Sequence, residues 1–167
     1  MKLIQESAFI SEIIFQADLV SYANDRLKKS VDAFENIGVW SAIQSILISS
    51  SNISKILWPK RKYEERGQEL RDLMKIDSEC VLKSRKFRNK FEHYDDFISD
   101  FFEDKVIHSY CDFVMNPSLQ SFGIESCHRG YNSYNNTLLI QGEILDLNSI
   151  IDTVKEIRLK CKNLFLQ

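Results

Sequence analysis

Proline and glycine are scarce in this chain, at 2 and 5 of 167 residues. So few breakers and hinges argue against a loop-rich fold and for long regular elements. Cysteine is sparse too, and the 4 thiols at positions 80, 111, 127 and 161 follow no framework spacing. That excludes a disulfide-stapled secreted module and leads us to expect free thiols in a reducing cytoplasm. No run of 18 or more apolar residues occurs, so no transmembrane helix, and no membrane partner, is expected. Near the N-terminus, Lys2 is followed by Gln5, Glu6 and Glu12, polar interruptions that a secretory signal core does not carry. Neither a glycine-rich phosphate loop nor a serine-centred hydrolase elbow is present, and no cofactor is expected.

What the chain does contain is ordinary for a globular domain: 44% hydrophobic and 28% charged residues. Its length suits one domain with a real core. The net charge of −2 argues against a general nucleic-acid coat, but the charges are unevenly placed. From Lys55 to Lys90 there are 12 basic and 6 acidic side chains, whereas from Glu92 to Glu125 there are 8 acidic and 1 basic. A locally basic surface attracts phosphates. The same pattern equally describes two solvated helix faces of opposite sign, suited to self-association.

Hydrophobic spacing predicts a first helix over residues 2 to 24, with Ile10, Ile13, Ile14, Ala17, Leu19 and Val20 on its apolar side. A second is predicted from about Ser30, as its cap, to Trp58, stopped by Pro59. Its expected buried stripe is Phe34, Ile37, Trp40, Ile43, Leu47 and Leu57, with Gly38 softening it. Its serines at 41, 45, 49, 50, 51 and 54 are small enough to let another helix approach closely. A short helix follows at about Tyr63 to Met74. A long amphipathic helix is then expected from about Asp77 to Asp104, with Cys80, Phe87, Phe91, Tyr94, Ile98 and Phe101 as a buried seam and Ser84 as its small slot. Strands are predicted at Ser126 to Asn132 and Thr137 to Gln141 around a turn at 133–136, with Ile144 to Leu147 extending the second. A last helix covers about Asn148 to Leu166. The expected architecture is mainly α: a helical bundle over about 2–116, a small C-terminal β-hairpin over about 126–147 and a closing helix over about 148–166, all in one domain.

The chemistry concentrates in Arg88-Asn89-Lys90-Phe91-Glu92-His93. On a helical wheel centred on Phe87, Phe91, Tyr94, Ile98 and Phe101 fall within about 40°, while Asn89 and His93 fall about 160° and 120° away. Asn89 and His93, four apart, are then neighbours on a polar face. Arg85, Glu92 and Asp96 share that face, and Arg88 lies about 100° to the other side of Phe87, from where its long side chain can reach around. Such groups can cleave RNA without a metal. A histidine near neutral pH takes the 2′-hydroxyl proton. A forked arginine stabilises charge on the non-bridging oxygens, and an amide one turn away orients the histidine. One imidazole cannot be base and acid on opposite sides of phosphorus at once, and two copies facing across a dimer supply both. The plain alternative is a surface pair between Arg88 and Glu92, worth a few tenths of a kcal/mol.

This segment resembles the signature of the HEPN superfamily: an arginine, a polar residue directly after it, and a histidine a few residues on. Ser54-Lys55-Ile56-Leu57-Trp58-Pro59, Arg66-Gly67 and Leu70-Arg71 are similar to a family of uncharacterised bacterial HEPN-like proteins. The resemblance covers roughly residues 30 to 104. It implies a HEPN-like helical bundle, dimerisation across the motif helices and metal-independent endoribonuclease activity, as in toxins or phage-defence effectors, with RNA and an antitoxin or regulatory protein as partners. It assigns acid–base chemistry to His93, phosphate stabilisation to Arg88 and orientation to Asn89; Arg85, Lys86 and Lys90 are the accompanying substrate-binding candidates. The family also includes inactive members that bind a partner protein or a nucleotide. In toxin members whose tyrosine two residues past the histidine is modified, the equivalent here is Asp95, with Tyr94 one residue early.

Two weaker constellations remain. His108, Cys111, Cys127 and His128 contain zinc-ligand types but fit no strong spacing template, and adjacent Cys127 and His128 point to opposite faces of a strand. No metal site is therefore expected. Tyr131 and Tyr134, among asparagines, can either stack on bases or simply decorate a hairpin tip.

Overall fold

The computed structural model describes residues 3–103, 110–119 and 127–165. It is mainly helical, with six α-helices and a four-stranded sheet among the described residues. The chain divides into two compact units, the first comprising residues up to Arg85 together with those from Ser149 onward, the second Lys86–Asn148. No helix among the described residues is long and apolar enough to cross a membrane.

In the first unit, α1 (Leu3–Asp32) and α2 (Asn36–Leu57) form a helical hairpin. Ile13, Val20 and Leu27 of α1 and Ile43, Ile46, Ile53 and Leu57 of α2 are buried. Both helices differ from the expected bounds. Arg26, Leu27, Lys28 and Lys29 are good helix formers and carry α1 through Ser30, so Ser30 lies inside α1 rather than capping α2. The turn comes at Phe34, whose φ of 56° breaks the helix. Phe34 and Ile37, expected in the core, are 92% and 85% exposed. Gly38 sits in the first turn of α2. A Cβ there would meet Ser30 Oγ at 2.2 Å, so the missing side chain lets α2 start against α1. Ser49, Ser50, Ser51 and Ser54 are buried, and Asn52 donates to Gln16 of α1 at 3.2 Å.

The end of α2 is built from the Ser54–Pro59 and Arg66–Arg71 segments. Four carbonyls at a helix C-terminus lack intrahelical partners. Arg66 donates to the Ile56 carbonyl at 3.4 Å and Arg71 to that of Leu57. Both arginines project from α3 (Glu64–Leu73). Their planes lie on aromatic faces, Arg66 over Phe9 at 4.3 Å and Arg71 over Trp58 at 5.6 Å. Gly67 makes the approach possible, since a Cβ there would meet Pro59 Cδ at 2.4 Å and the Leu57 carbonyl oxygen at 2.8 Å. α3 ends where Lys75 takes φ 50°, with Ile76 N–H on the Arg71 carbonyl at 2.9 Å, a Schellman-type stop. The closing helix α6 (Leu147–Phe165) adds Ile150, Ile151, Val154, Ile157 and Cys161 to the buried set.

The long helix expected from Asp77 to Asp104 is not formed. Asp77 accepts from the Glu79 N–H at 2.9 Å, a local turn that competes with helix. A single 3-10 turn (Val81–Lys83) follows, and Ser84 is extended. In the second unit the chain is helical as two pieces, α4 (Lys86–Glu92) and α5 (Tyr94–Glu103), broken at His93. Of the expected seam, Phe91 is buried, Phe87, Ile98 and Phe101 are half-buried and Tyr94 is exposed.

The predicted hairpin is present as β2 (Arg129–Asn132) and β3 (Thr137–Ile140), paired antiparallel. The sheet goes further than predicted. Residues 143–146 do not extend β3 but return beside it as β4 (Glu143–Asp146), because Gln141 and Gly142, at φ 51° and 74°, form a tight turn. A two-residue strand, β1 (Val114–Met115), adds parallel to β2, giving the order β1-β2-β3-β4. Tyr131 is buried and its hydroxyl donates to Asn136 at 2.8 Å, so it is not available for stacking; Tyr134 is exposed.

Gly67 yields a prediction of unusual sign. Glycine to alanine within a helix normally stabilises by about 1 kcal/mol. Gly67→Ala is expected instead to destabilise by about 1–3 kcal/mol, because backbone and a proline ring must move. A lowered midpoint in urea unfolding checks it; an unchanged or raised midpoint refutes the close approach.

Candidate functional site

α4 turns Phe91 inward, and this fixes where its polar residues go. Lys86 and Lys90, one turn apart, both reach Glu143 at the start of β4, at 2.6 and 2.7 Å, one on each carboxylate oxygen. These two hydrogen bonds hold the Glu143 carboxyl below its usual range. Arg88 donates Nη1 to Asn89 Oδ1 at 3.0 Å and pairs Nη2 with Glu92 at 2.7 Å. Its Nε is buried and unpartnered. Arg85 is not on α4. It lies just before the helix and belongs to the first unit.

His93 is exposed, as its position on the wheel predicts, but it does not stand in the middle of a rigid helix. It occupies the junction of α4 and α5. Its backbone N–H still donates to the Asn89 carbonyl at 2.9 Å, so Asn89 and His93 are one helical turn apart. The side chain of Asn89, however, is engaged by Arg88 rather than by the imidazole. Two acidic residues adjoin His93. Its imidazole and the carboxylates of Asp95 and Asp96 have ligand atoms within 4.8 Å of one another, all three residues exposed. Asp95 and Asp96 also occupy the first turn of α5, where negative charge suits the helix dipole.

Beneath these helices lies a polar cluster that the sequence did not announce. Arg129 on β2 is only 6% exposed. It forms a forked pair with Asp112, Nε to Oδ1 at 2.9 Å and Nη2 to Oδ2 at 2.5 Å. Its guanidinium is flanked by Phe113 at 4.1 Å and by Phe91 and Tyr94 at 5.3 Å each. His128, 1% exposed, stacks on Phe97 of α5 at 4.2 Å. Its Nδ1 lies 3.1 Å from the Tyr110 hydroxyl, which in turn lies 3.4 Å from Asp112 Oδ2. With the proton on Nδ1, histidine donates to tyrosine and tyrosine to aspartate, and Nε2 is left as a buried, unpartnered acceptor. The only hint in sequence was the Cys127-His128-Arg129 run, where a basic pair interrupts the start of a predicted strand. His108, one of the four zinc-ligand types noted, lies outside the described residues.

Burial opposes ionisation of Asp112, but the hydrogen bonds and charge of Arg129, together with His128 Nδ1 at 3.5 Å from Asp112 Oδ2 and so shared between tyrosine and carboxylate, outweigh it, and its carboxyl sits well below the usual range. A depressed folded-state pKa gives stability that is fully present above the unfolded value, about 3.9. That stability is lost as pH falls below this value towards the folded one. Asp112→Asn strands a buried guanidinium and is expected to cost about 3 kcal/mol at neutral pH. It is also expected to flatten the fall in stability below about pH 4. Urea unfolding of both proteins across pH 2.5–7 measures this; equal acid limbs would remove the pair from the acid response. Comparisons of the chain with family models, with curated proteins and with solved structures return no match.

Proposed function

We propose that this protein is a HEPN-like, metal-independent endoribonuclease acting as a homodimer, with a composite site made from Arg88 and His93 of both copies. One observation carries the reading. Arg88 and Asn89 lie on one turn of a short segment and His93 on the next, with an exposed imidazole one helical turn from an amide already bonded to the arginine. In the reaction His93 of one copy takes the proton of the 2′-hydroxyl as it attacks phosphorus. Arg88 leaves Glu92 to fork onto the non-bridging oxygens, where charge accumulates. The second copy's imidazole protonates the departing 5′-oxygen, leaving a 2′,3′-cyclic phosphate. Lys86 and Lys90 hold flanking phosphates, and Arg85 extends that contact if it is brought to the same strand of RNA. A toxin or phage-defence role in the cytoplasm, with an antitoxin or other regulatory partner, is the biological setting the reading implies.

A second reading rests on a specific observation: each cation on α4 is already matched by a carboxylate, Lys86 and Lys90 by Glu143 and Arg88 by Glu92. A matched surface suits a silent module that docks a partner protein or nucleotide. The energies favour neither exclusively. Such pairs are partly exposed and individually weak, so a phosphate displaces them readily.

The test is cleavage of RNA by the purified chain in EDTA. Wild type is expected to cut and leave 2′,3′-cyclic ends, and His93→Ala and Arg88→Ala are each expected to lose about 100-fold or more while staying folded and dimeric. Cleavage that survives both substitutions sinks the assignment. Glu143→Gln gives an independent readout. Freeing Lys86 and Lys90 is expected to tighten RNA binding and to steepen its salt dependence by about one to two phosphate contacts. A salt slope that does not change moves the RNA path away from α4.

A further inference from the structure

Two of the four cysteines are paired in the fold although far apart in sequence. Cys111 and Cys127 are partners in a parallel β-bridge just ahead of β1 and β2. His128 N–H donates to the Cys111 carbonyl at 2.9 Å, fixing that register. Neighbouring strands run about 4.8 Å apart, inside the 4.4–6.8 Å Cα separation that a disulfide spans. Residues paired in a bridge point to the same face, so the two thiols lie on one side of the pair. All four cysteines are reduced in this structure. The other two differ in kind: Cys80 and Cys161 belong to the first unit, and Cys161 is buried with its Sγ on Met74 Sδ at 3.2 Å.

We propose that Cys111 and Cys127 are a redox-active dithiol that closes to an intramolecular disulfide by exchange with a small disulfide such as glutathione disulfide. Exposure sets the order of events. Cys127 is buried, whereas Cys111 is half-exposed and meets the oxidant. The Cys111 thiolate attacks one sulfur of glutathione disulfide, forming a mixed disulfide and releasing one glutathione thiolate. Cys127, after giving up its proton to solvent, attacks the Cys111 sulfur and expels the second glutathione. Two protein thiols are oxidised to one disulfide and one glutathione disulfide is reduced to two thiols. Burial, reinforced by the neighbouring Cys111, pushes the Cys127 thiol up to about 12, so resolution is the slow step and quickens as pH rises.

The bond has a structural consequence. β1 has only two residues in register with β2, the weakest pairing in the sheet. A covalent link one residue before Asp112 and two before Arg129 ties the lead-in of one strand to that of the other. It closes a loop of 15 intervening residues, 112–126, and holds the Asp112–Arg129 pair in register. Oxidation therefore stiffens the platform under α4 and α5. The dithiol itself stands independently of the ribonuclease reading, since thiol chemistry is read without RNA.

The experiment titrates the full chain with mixtures of reduced and oxidised glutathione, quenches in acid, counts thiols and maps the bond by peptide mass. The expected result is loss of two thiols together, a 111–127 linkage, recovery with dithiothreitol and a thermal midpoint raised by several degrees in the oxidised form. Cys111→Ser is expected to abolish both the bridge and any adduct at Cys127. A Cys80→Ser, Cys161→Ala variant is expected to keep the bridge. Retention of all four thiols, a glutathione adduct on Cys111 that is never resolved, or a bridge to Cys80 or Cys161 each overturns the proposal. So does a Cys111→Ser variant in which Cys127 is still consumed.

Discussion

A guanidinium taken out of water must find an anion, and in residues 86–148 much of the fold is arranged around how Arg129 does so. The desolvation cost of a buried ion is several kcal/mol, and only good geometry with further hydrogen bonds offsets it. Arg129 meets that condition with a forked carboxylate and three aromatic rings. The rings come from α4, α5 and the segment entering β1, while the arginine is on β2. One side chain thus ties four pieces of chain that hydrophobic burial alone would leave loosely specified. His128 repeats the device next door, with Phe97 on its face and Tyr110 on its nitrogen. Polar groups with so few acceptable partners fix a register more sharply than an apolar contact can.

This explains what could and could not be seen in the sequence. The α1–α2 pair, α3, β2, β3 and α6 each carry a local period or a breaker, and each appears near its expected place. Boundaries moved where local pattern was silent, as at Ser30, which looks like a cap but is enclosed by strong helix formers. The stretch from Asp77 to Glu103 misled for a clearer reason. Its apolar residues keep a three-and-four spacing through a turn, an extended residue and two short helices. The partner of Phe91 and Tyr94 is an arginine some 35 residues on, and no local pattern reports that. The Arg88–His93 candidates were legible as chemistry, yet Glu143, the carboxylate partner of Lys86 and Lys90, was not, because only β4 folding back beside β3 brings it to α4.

The two kinds of ion pair in the second unit have different uses. Asp112–Arg129 is buried, and removing either member leaves an uncompensated charge, so it serves architecture. The pairs on α4 are partly exposed and individually weak. They keep the cations extended and positioned without holding them against a better anion. A surface of this kind is quiet towards solvent and still exchangeable towards a polyanion, whose several phosphates act together and release counterions. Matched charges on α4 are therefore compatible with the proposed RNA binding, whose salt dependence they would set.

The acidic turn beside His93 is the harder constraint on the ribonuclease reading. Asp95 and Asp96 crowd the imidazole, and carboxylates at that distance repel a phosphate in the same place. Among the described residues the cations of α4 are paired with Glu92 and Glu143 rather than with these two carboxylates. The reading therefore requires a neighbour. In a two-fold arrangement every contact occurs twice, so a basic stretch in 55–90 facing an acidic stretch in 92–125 is satisfied on both sides at once. Such pairing would withdraw Asp95 and Asp96 from the phosphate path and bring the second imidazole that cleavage needs. The acid–base argument and the electrostatic argument thus reach the same requirement by separate routes, one from proton inventory and one from charge. A monomer that cleaved RNA would contradict both.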